Sequence, residues 1–272
     1  MYKPNLIQLF TLAIIIMFQS CKKDPPRNIQ PPAPSTTLSA IEWSTGNQKE
    51  TYEYNNDQKL KKIVLSSGQV SDIYEFNWKG NKLSEAHEVS SLFKQVYHYD
   101  GNRISKITYT SVTDPGSSNY KMDYLYRADG KIEKMNLVML NGSGSNATTT
   151  YHYNASGELS STVTIMDQFT ITQTIESYSD QISFEPWAFI DLTLLENYMI
   201  YNYPVLSSMK ALPAKVLRSV KIGAAPEFLD AVTTNTFETG NNRINKLKYE
   251  LQIPGSPSLG KTRNALFTYK QP

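Results

Sequence analysis

Short segments of alternating aromatic and polar residues recur along the chain, and each is followed by a polar turn and an aliphatic residue. The clearest copies carry two tyrosines around one other residue, as in Tyr97–Tyr99, Tyr124–Tyr126 and Tyr151–Tyr153. Residues two apart point to the same face of a β-strand, so each tyrosine pair shares a face. Turn residues such as Asp-Gly and Asn-Asn supply the positive φ angles that tight hairpins need. The pattern predicts one β-hairpin per copy.

The copies follow one another through most of the chain. Their first aromatic residues are Tyr52, Tyr74, Tyr97, Tyr124, Tyr151 and, in a diverged copy, Phe237. The aliphatic residues after their turns, here called anchors, are Leu60, Leu83, Ile104, Ile132, Leu159 and Ile244. A series of such hairpins predicts an antiparallel β-meander. We therefore expect an all-β fold with a small helical insertion, in which the repeated hairpins form an open, curved sheet.

These units resemble the tyrosine–aspartate (YD) repeats of Rhs-type proteins, which read Tyr-x-Tyr-Asp-x-x-Gly-x-Leu. The segments Tyr97–Ile104 and Tyr124–Ile132 match that pattern best, whereas the copy at Tyr52 lacks the glycine. Rhs proteins stack many copies into a closed shell around a cargo. About six copies are too few to enclose anything large, so the resemblance implies the open sheet rather than a shell.

The repeat is interrupted between Phe184 and Pro213. From Trp187 to Tyr203 the apolar residues are too continuous for a half-buried strand and the run is too long for one strand. Pro186 suits a helix start and Pro204 a helix end. We expect a helical insertion over about 186–212, with a helix to Tyr203 and a short helical turn near Leu206–Ala211, and then a strand over Ala214–Ile222.

Two interpretations of this insertion remain open. A helix that is apolar on nearly every side should be buried, which favours a plug against the concave face of the sheet. The functional alternative is a lid over an apolar pocket lined by Trp187, Phe189, Tyr198 and Tyr201.

The N-terminal sequence has the pattern of an export signal. Lys3 precedes a mainly apolar segment from Leu6 to Phe18, which is shorter than the ~20 residues of a transmembrane helix. The sequence Phe18-Gln19-Ser20-Cys21 resembles the lipobox of bacterial lipoproteins, although the usual leucine is replaced by Phe18. We expect a lipoprotein signal peptide over 1–20 and lipid attachment at Cys21. Together with the repeat, the chain resembles a group of Bacteroidetes outer-membrane lipoproteins.

Prolines at five positions between Lys22 and Thr37 disfavour a sheet and favour extended polyproline II. This predicts a proline-rich tether over 21–37, followed by a β domain with YD-like repeats over 38–272. Sixteen residues reach ~22 Å as a flexible coil and ~50 Å as polyproline II, so the tether holds the domain near a membrane surface.

Composition and motif content limit the kinds of functional site that the chain can form. The net charge of +2 gives no electrostatic footprint for nucleic acid, and the single cysteine excludes an internal disulfide or a cysteine-based metal site. None of the common catalytic or cofactor motifs is present. His98 and His152 lie between paired tyrosines and point to the opposite face, where a charged, solvated surface explains them better than a metal site. We expect no catalytic residues, no metal and no cofactor.

The expected function is therefore that of a membrane-anchored, non-catalytic lipoprotein that binds a glycan or a partner protein at the outer membrane. An alternative is a carrier or sensor of an apolar ligand held between the curved sheet and the helical segment. A carbohydrate hydrolase is a third class, since the spacing of two carboxylates cannot be read from a sequence. The membrane face and the oligomeric state stay open.

Overall fold

The structure is a computed structural model, and it describes residues 37–142, 144–189 and 203–270. The chain divides into two compact units, Met1–Gln30 and Pro31–Pro272, and every described residue belongs to the second. The signal peptide over 1–20, Cys21 and the tether as far as residue 36 lie outside the described residues, so these expectations stay predictions.

Sixteen antiparallel strands make up the described domain, and each alternates inward-facing with outward-facing residues. They are β1 (Leu38–Trp43), β2 (Gln48–Tyr54), β3 (Leu60–Ser67), β4 (Val70–Lys79), β5 (Lys82–Glu88), β6 (Phe93–Asp100), β7 (Arg103–Ser111), β8 (Ser118–Tyr126), β9 (Ile132–Met139), β10 (Ala147–Tyr153), β11 (Leu159–Met166), β12 (Phe169–Tyr178), β13 (Pro213–Ile222), β14 (Phe228–Gly240), β15 (Arg243–Gln252) and β16 (Lys261–Tyr269).

The strands form a closed barrel, so the expected open, curved sheet is wrong. Each strand pairs with its neighbours in sequence, and β1 also pairs with β16 from Leu38 opposite Tyr269 to Trp43 opposite Ala265. Closure removes both edge strands, which would otherwise present unpaired backbone groups. The pairing that closes the barrel joins the two ends of the domain.

The turns of the repeat are tight hairpin turns. Asn241 and Asn242 both have positive φ angles, of 54° and 58°, and they form a two-residue turn between Gly240 and Arg243. Gly101, with φ 56°, occupies the first position of the equivalent turn between Asp100 and Arg103. These are the conformations that match the twist of paired strands, and they explain the glycine and asparagine pattern of the sequence.

A β-bulge follows the same turn in every copy of the repeat. The register shifts in all six hairpins, because one extra residue enters the return strand. The shifts lie at Tyr54, Trp78, Tyr99, Tyr126, Tyr153 and Thr239. The extra residue in the β6–β7 hairpin is Ser105, whose hydroxyl donates to the His98 carbonyl (3.3 Å). Because of the bulge, the anchor Ile104 and Ile107, three places later, both face inward and are buried. Bulges bend the strand and increase its twist, so six of them curve the sheet toward closure.

In four of the six copies the aromatic at the bulge fastens its hairpin to the preceding one, and two further aromatics on β12 and β16 do the same. The Tyr126 hydroxyl donates to the carbonyl of the anchor Ile104 at 2.6 Å, and the Trp78 indole donates to Leu60 at 2.7 Å. We call each such hydrogen bond a latch. The other latches run from Tyr99 to Leu83, Tyr153 to Ile132, Tyr178 to Leu159 and Tyr269 to Ile244. A bulge leaves backbone groups without a ladder partner, and the latch satisfies one of them.

The described helical structure is limited to single turns. A 3-10 helix spans Pro186–Phe189, α1 spans Tyr203–Leu206, and a further 3-10 helix spans Pro257–Leu259. The expected helix from Trp187 to Tyr203 falls mostly on residues 190–202, which lie outside the described residues. The expected helical turn near Leu206–Ala211 overlaps α1 only at Leu206, and Pro204, expected to end a helix, lies within α1. The expected strand over Ala214–Ile222 is β13. Residues 179–189 and 203–212 are called the plug segment below.

Removal of one latch hydroxyl tests this account of the fold. Tyr126→Phe keeps the ring but leaves the Ile104 carbonyl without its donor, so we expect the free energy of unfolding to fall by about 1–2 kcal/mol. Urea denaturation measures the change. Leu125→Ala is the control, because Leu125 precedes Tyr126 and is 52% exposed. Equal denaturation midpoints for Tyr126→Phe and wild type would show that the latch contributes nothing.

Candidate functional site

The outer wall of the barrel is polar and charged. Outward residues pair across strands in rows such as Glu53, Lys62, Glu75 and His87. Ion pairs also lie on this face, among them Glu85 with Lys94 (2.7 Å) and Glu238 with Lys246 (2.7 Å). A barrel that spans a membrane presents an apolar band about 25 Å tall to the lipid. Outward apolar residues such as Val64 and Ile73 lie among these charged residues on the described wall, so charged groups interrupt its apolar positions.

The histidines weighed as a possible metal site, His98 and His152, belong to this outer wall. His98 accepts or donates a hydrogen bond at Thr108 Oγ1 (3.1 Å), and burial together with Lys106 lowers the pKa of its imidazole. Among the described residues, no group of three His, Cys, Asp or Glu side chains is arranged to hold a metal ion.

The interior of the barrel is filled by side chains at mid-height. Ile41, Ile107 and Met122 face inward and have no exposed surface. Buried polar groups at the same level are paired with each other, as in the hydrogen bond from Thr162 to Gln173 (3.2 Å). In the described part of the chain, the barrel is therefore a packed core rather than a continuous channel.

The plug segment packs into this core at the end of the barrel that carries the repeat turns and the two domain termini. The Trp187 ring lies 4.6 Å from Phe76 and 4.7 Å from Tyr203, and Phe189 stacks on Phe267 at 5.8 Å. Trp187 and Phe189 are 9% and 3% exposed. Such packing favours the plug over the lid for these two residues. Tyr198 and Tyr201 lie outside the described residues, so the four-residue pocket stays a prediction.

One acidic residue sits inside the plug segment. The Glu185 carboxylate accepts hydrogen bonds from the Tyr54 hydroxyl and the Trp187 backbone N–H, both at 3.4 Å. Burial among aromatic rings raises the pKa of this carboxyl to about 7. Sequence reasoning missed Glu185, because Asp191 and Glu196 belong to the same apolar segment and nothing local distinguishes one acid from the others.

The opposite end of the barrel, here called the rim, is different in character. It consists of the eight connections from β1–β2 through β15–β16 and the adjoining ends of the strands. Ten of the twelve large apolar side chains that are exposed among the described residues lie there: Val70, Val89, Leu92, Val112, Leu140, Ile165, Ile222, Phe228, Leu229 and Leu259. At the plug end, Leu125 is the exposed large apolar residue that adjoins a described repeat turn. Exposed apolar side chains are therefore concentrated at the rim.

Aromatic and basic residues line the inner wall just below the rim. Phe93, Tyr109 and Tyr120 stack in a row across β6, β7 and β8, with ring centroids 5.2 and 4.7 Å apart. In the closed strand order, β15 and β16 lie across the barrel from β7 and β8, and there Arg263 stacks over Trp43 at 4.0 Å. Sequence reasoning missed these residues because nothing local marks which end of a strand is open.

The described residues contain no helix that is long and apolar enough to cross a membrane.

Comparison with known proteins gives a likeness of fold. No family model matches the chain, and no curated protein sequence does. A porin-like protein from Bacteroides uniformis ATCC 8492 superimposes with a TM-score of 0.56 and 15% identity, covering 88% of this chain and 100% of that one. A porin-like protein from Bacteroides vulgatus ATCC 8482 gives a TM-score of 0.57 and 10% identity, covering 87% and 100%. At such identities the likeness shows the fold alone.

The plug and lid interpretations of Trp187 predict different results for one substitution. If Trp187 is core, Trp187→Ala should lower the free energy of unfolding by ~3–5 kcal/mol, as for other buried aromatic truncations. The change is measured by chemical denaturation. Leu92→Ala, at a residue 72% exposed on the rim, is the control and should change little. A loss of under ~1 kcal/mol in Trp187→Ala would instead support a ligand pocket.

Proposed function

We propose that this protein is a non-catalytic binding lipoprotein of the outer membrane. Lipid on Cys21 holds it to the membrane, residues 21–37 form the tether, and the barrel itself lies in water beside the bilayer. The observation that carries this proposal is the contrast between a polar, ion-paired wall and an apolar rim. The wall gives the barrel no means of insertion, so attachment must come from elsewhere.

Two independent features support the outer membrane as the location. The structures with the same fold are described as porin-like proteins of Bacteroides, and porins are outer-membrane proteins. The N-terminal segment ends in the lipobox-like sequence at Cys21. Because several acyl chains anchor a protein stably where one does not, a lipidated cysteine is sufficient to retain a barrel that lipid cannot surround.

The rim is the binding face in this proposal. Its exposed apolar side chains recur at seven of the eight rim connections or their adjoining strand ends, and apolar surface bordered by polar residues is typical of interaction sites. An apolar rim favours a partner protein, and a glycan is the second ligand class. The filled interior leaves the rim, rather than a channel, as the place where binding occurs.

The alternative role, a carrier or sensor of an apolar ligand, places the ligand between the sheet and the helical segment. The packing of Trp187 against Phe76 and Tyr203 fills that space in the described residues. The alternative is therefore second to the proposal above.

Cell fractionation of Cys21→Ala tests the anchor and the water-facing wall together. We expect wild type in the outer-membrane fraction with incorporated fatty-acid label, because the acyl chains hold it there. The variant should carry no label and should be extracted without detergent. Ser20→Thr is a control for substitution next to the cleavage site.

Two outcomes would contradict the proposal. Undiminished label on Cys21→Ala would exclude this cysteine as the lipid site. A variant without label that still needs detergent for extraction would show that the barrel itself is inserted in the membrane.

A further inference from the structure

Arg263 has an unusual position among the basic residues of the barrel. It faces inward near the rim end of β16, with its guanidinium 4.0 Å above the Trp43 ring and one N–H donated to Gln48 Oε1 at 2.5 Å. Among the described residues, no carboxylate forms an ion pair with it. A guanidinium has five N–H donors in a fork that matches a carboxylate, and most of those of Arg263 remain available.

Other charged groups on the inner wall, Arg218 and Glu50, already have a salt-bridge or hydrogen-bond partner. Arg218 on β13 forms a salt bridge with Asp230, in which two nitrogens lie 2.6 Å from one carboxylate oxygen. Glu50 accepts hydrogen bonds from the Trp43 indole (2.7 Å) and the Tyr52 hydroxyl. The positive charge of Arg263 therefore has no dedicated partner among these groups.

Tyr249 is a further polar residue of the inner wall beside Arg263. It lies opposite Arg263 in the β15–β16 register. Burial raises the pKa of its phenol, whereas a hydrogen bond from Thr233 and the charges of Arg263 and Arg218 lower it. The phenol thus lies within the field of both guanidinium groups.

Apolar side chains flank this basic position on the same sector of the rim. Leu259 lies in the 3-10 helix that leads into β16 and is 60% exposed. Phe228 and Leu229 begin β14 and are 49% and 41% exposed. Because β14 pairs with β15 and β15 with β16, the β13–β14 and β15–β16 connections are neighbours on the rim. A positive charge and an apolar surface therefore occur side by side.

We propose that this sector of the rim binds a long-chain carboxylate, with its head group on Arg263 and its alkyl chain across Leu259 and Phe228. Phe228 pairs with the inward-facing Val220, whereas Leu229 faces outward. The carboxylate accepts two N–H bonds from the guanidinium, which keeps its stack on Trp43 and its bond to Gln48. The alkyl chain removes apolar side chains of the rim from water, which is favourable in proportion to the area covered. The sector recognises the two parts of an amphipathic molecule separately.

This proposal rests on the binding role of the rim proposed above, but it does not depend on the lipid anchor. Titration calorimetry of the full chain with octanoate, octanol and acetate separates the head group from the chain. Octanoate should bind at one site, and octanol and acetate should each bind at least ten-fold more weakly. Glucuronate provides an anionic sugar for comparison.

Two kinds of variant locate the site. Arg263→Gln should weaken octanoate at least ten-fold and leave octanol unchanged. Leu259→Ser, at an exposed position that the fold does not need, should weaken octanoate several-fold, and it keeps the test informative if Arg263→Gln fails to fold. Arg127→Gln is the matched control, because Arg127 stacks over Tyr153 at 5.6 Å at the plug end, and its octanoate affinity should equal that of wild type.

The proposal is overturned if octanoate binds no more tightly than octanol, if Arg263→Gln binds octanoate as wild type does, or if glucuronate binds as tightly as octanoate. None of these results affects the fractionation of Cys21→Ala, so failure of the ligand and failure of the anchor are distinguishable.

Discussion

The barrel depends on one irregularity repeated in the six repeat hairpins, namely the bulge that follows each repeat turn. An extra residue in each return strand bends and twists the sheet in the same sense six times, and this curvature brings β1 to β16. The latches hold consecutive hairpins together at the bulge, since each aromatic donates to a carbonyl of the preceding unit. Basic residues beside the anchors reinforce them, as where Arg103 lies over the Tyr126 ring at 5.5 Å.

Closure of the barrel separates an inward-facing surface from an outward-facing one, and the proposed function depends on both. Alternation places the paired aromatics and anchors inside, where with the plug segment they form a single core. It also places Lys, Glu, His and Thr outside, as a wall suited to water. The barrel shares its fold with porin-like proteins, yet its described interior is filled and its outside is charged.

The sequence allowed the hairpins, their turns and the return strand over β13 to be predicted, because these depend on residues close together in the chain. Closure could not be predicted, since the pairing of Leu38 with Tyr269 joins distant segments without a local signal. One signal was present but overlooked. Apolar or small residues recur three places after the anchors, as in Leu60 and Ile63 or Ile244 and Leu247, and this spacing breaks the alternation of a regular strand. The rim site at Arg263 could not be predicted from the sequence, because its neighbours come from strands at both ends of the chain.

We propose that the wall of the closed barrel faces water while the protein is attached to its membrane. Single cysteines in place of the outward residues Thr51, Thr108 and Thr172 sample the wall at three strands spaced around the barrel. The measurement is their rate of labelling by a water-soluble maleimide in permeabilised outer membranes, above the background from Cys21. Our account predicts that all three react at the rate of exposed strand residues, with or without detergent. Protection of all three that is lost on adding detergent would place the wall in lipid and contradict it.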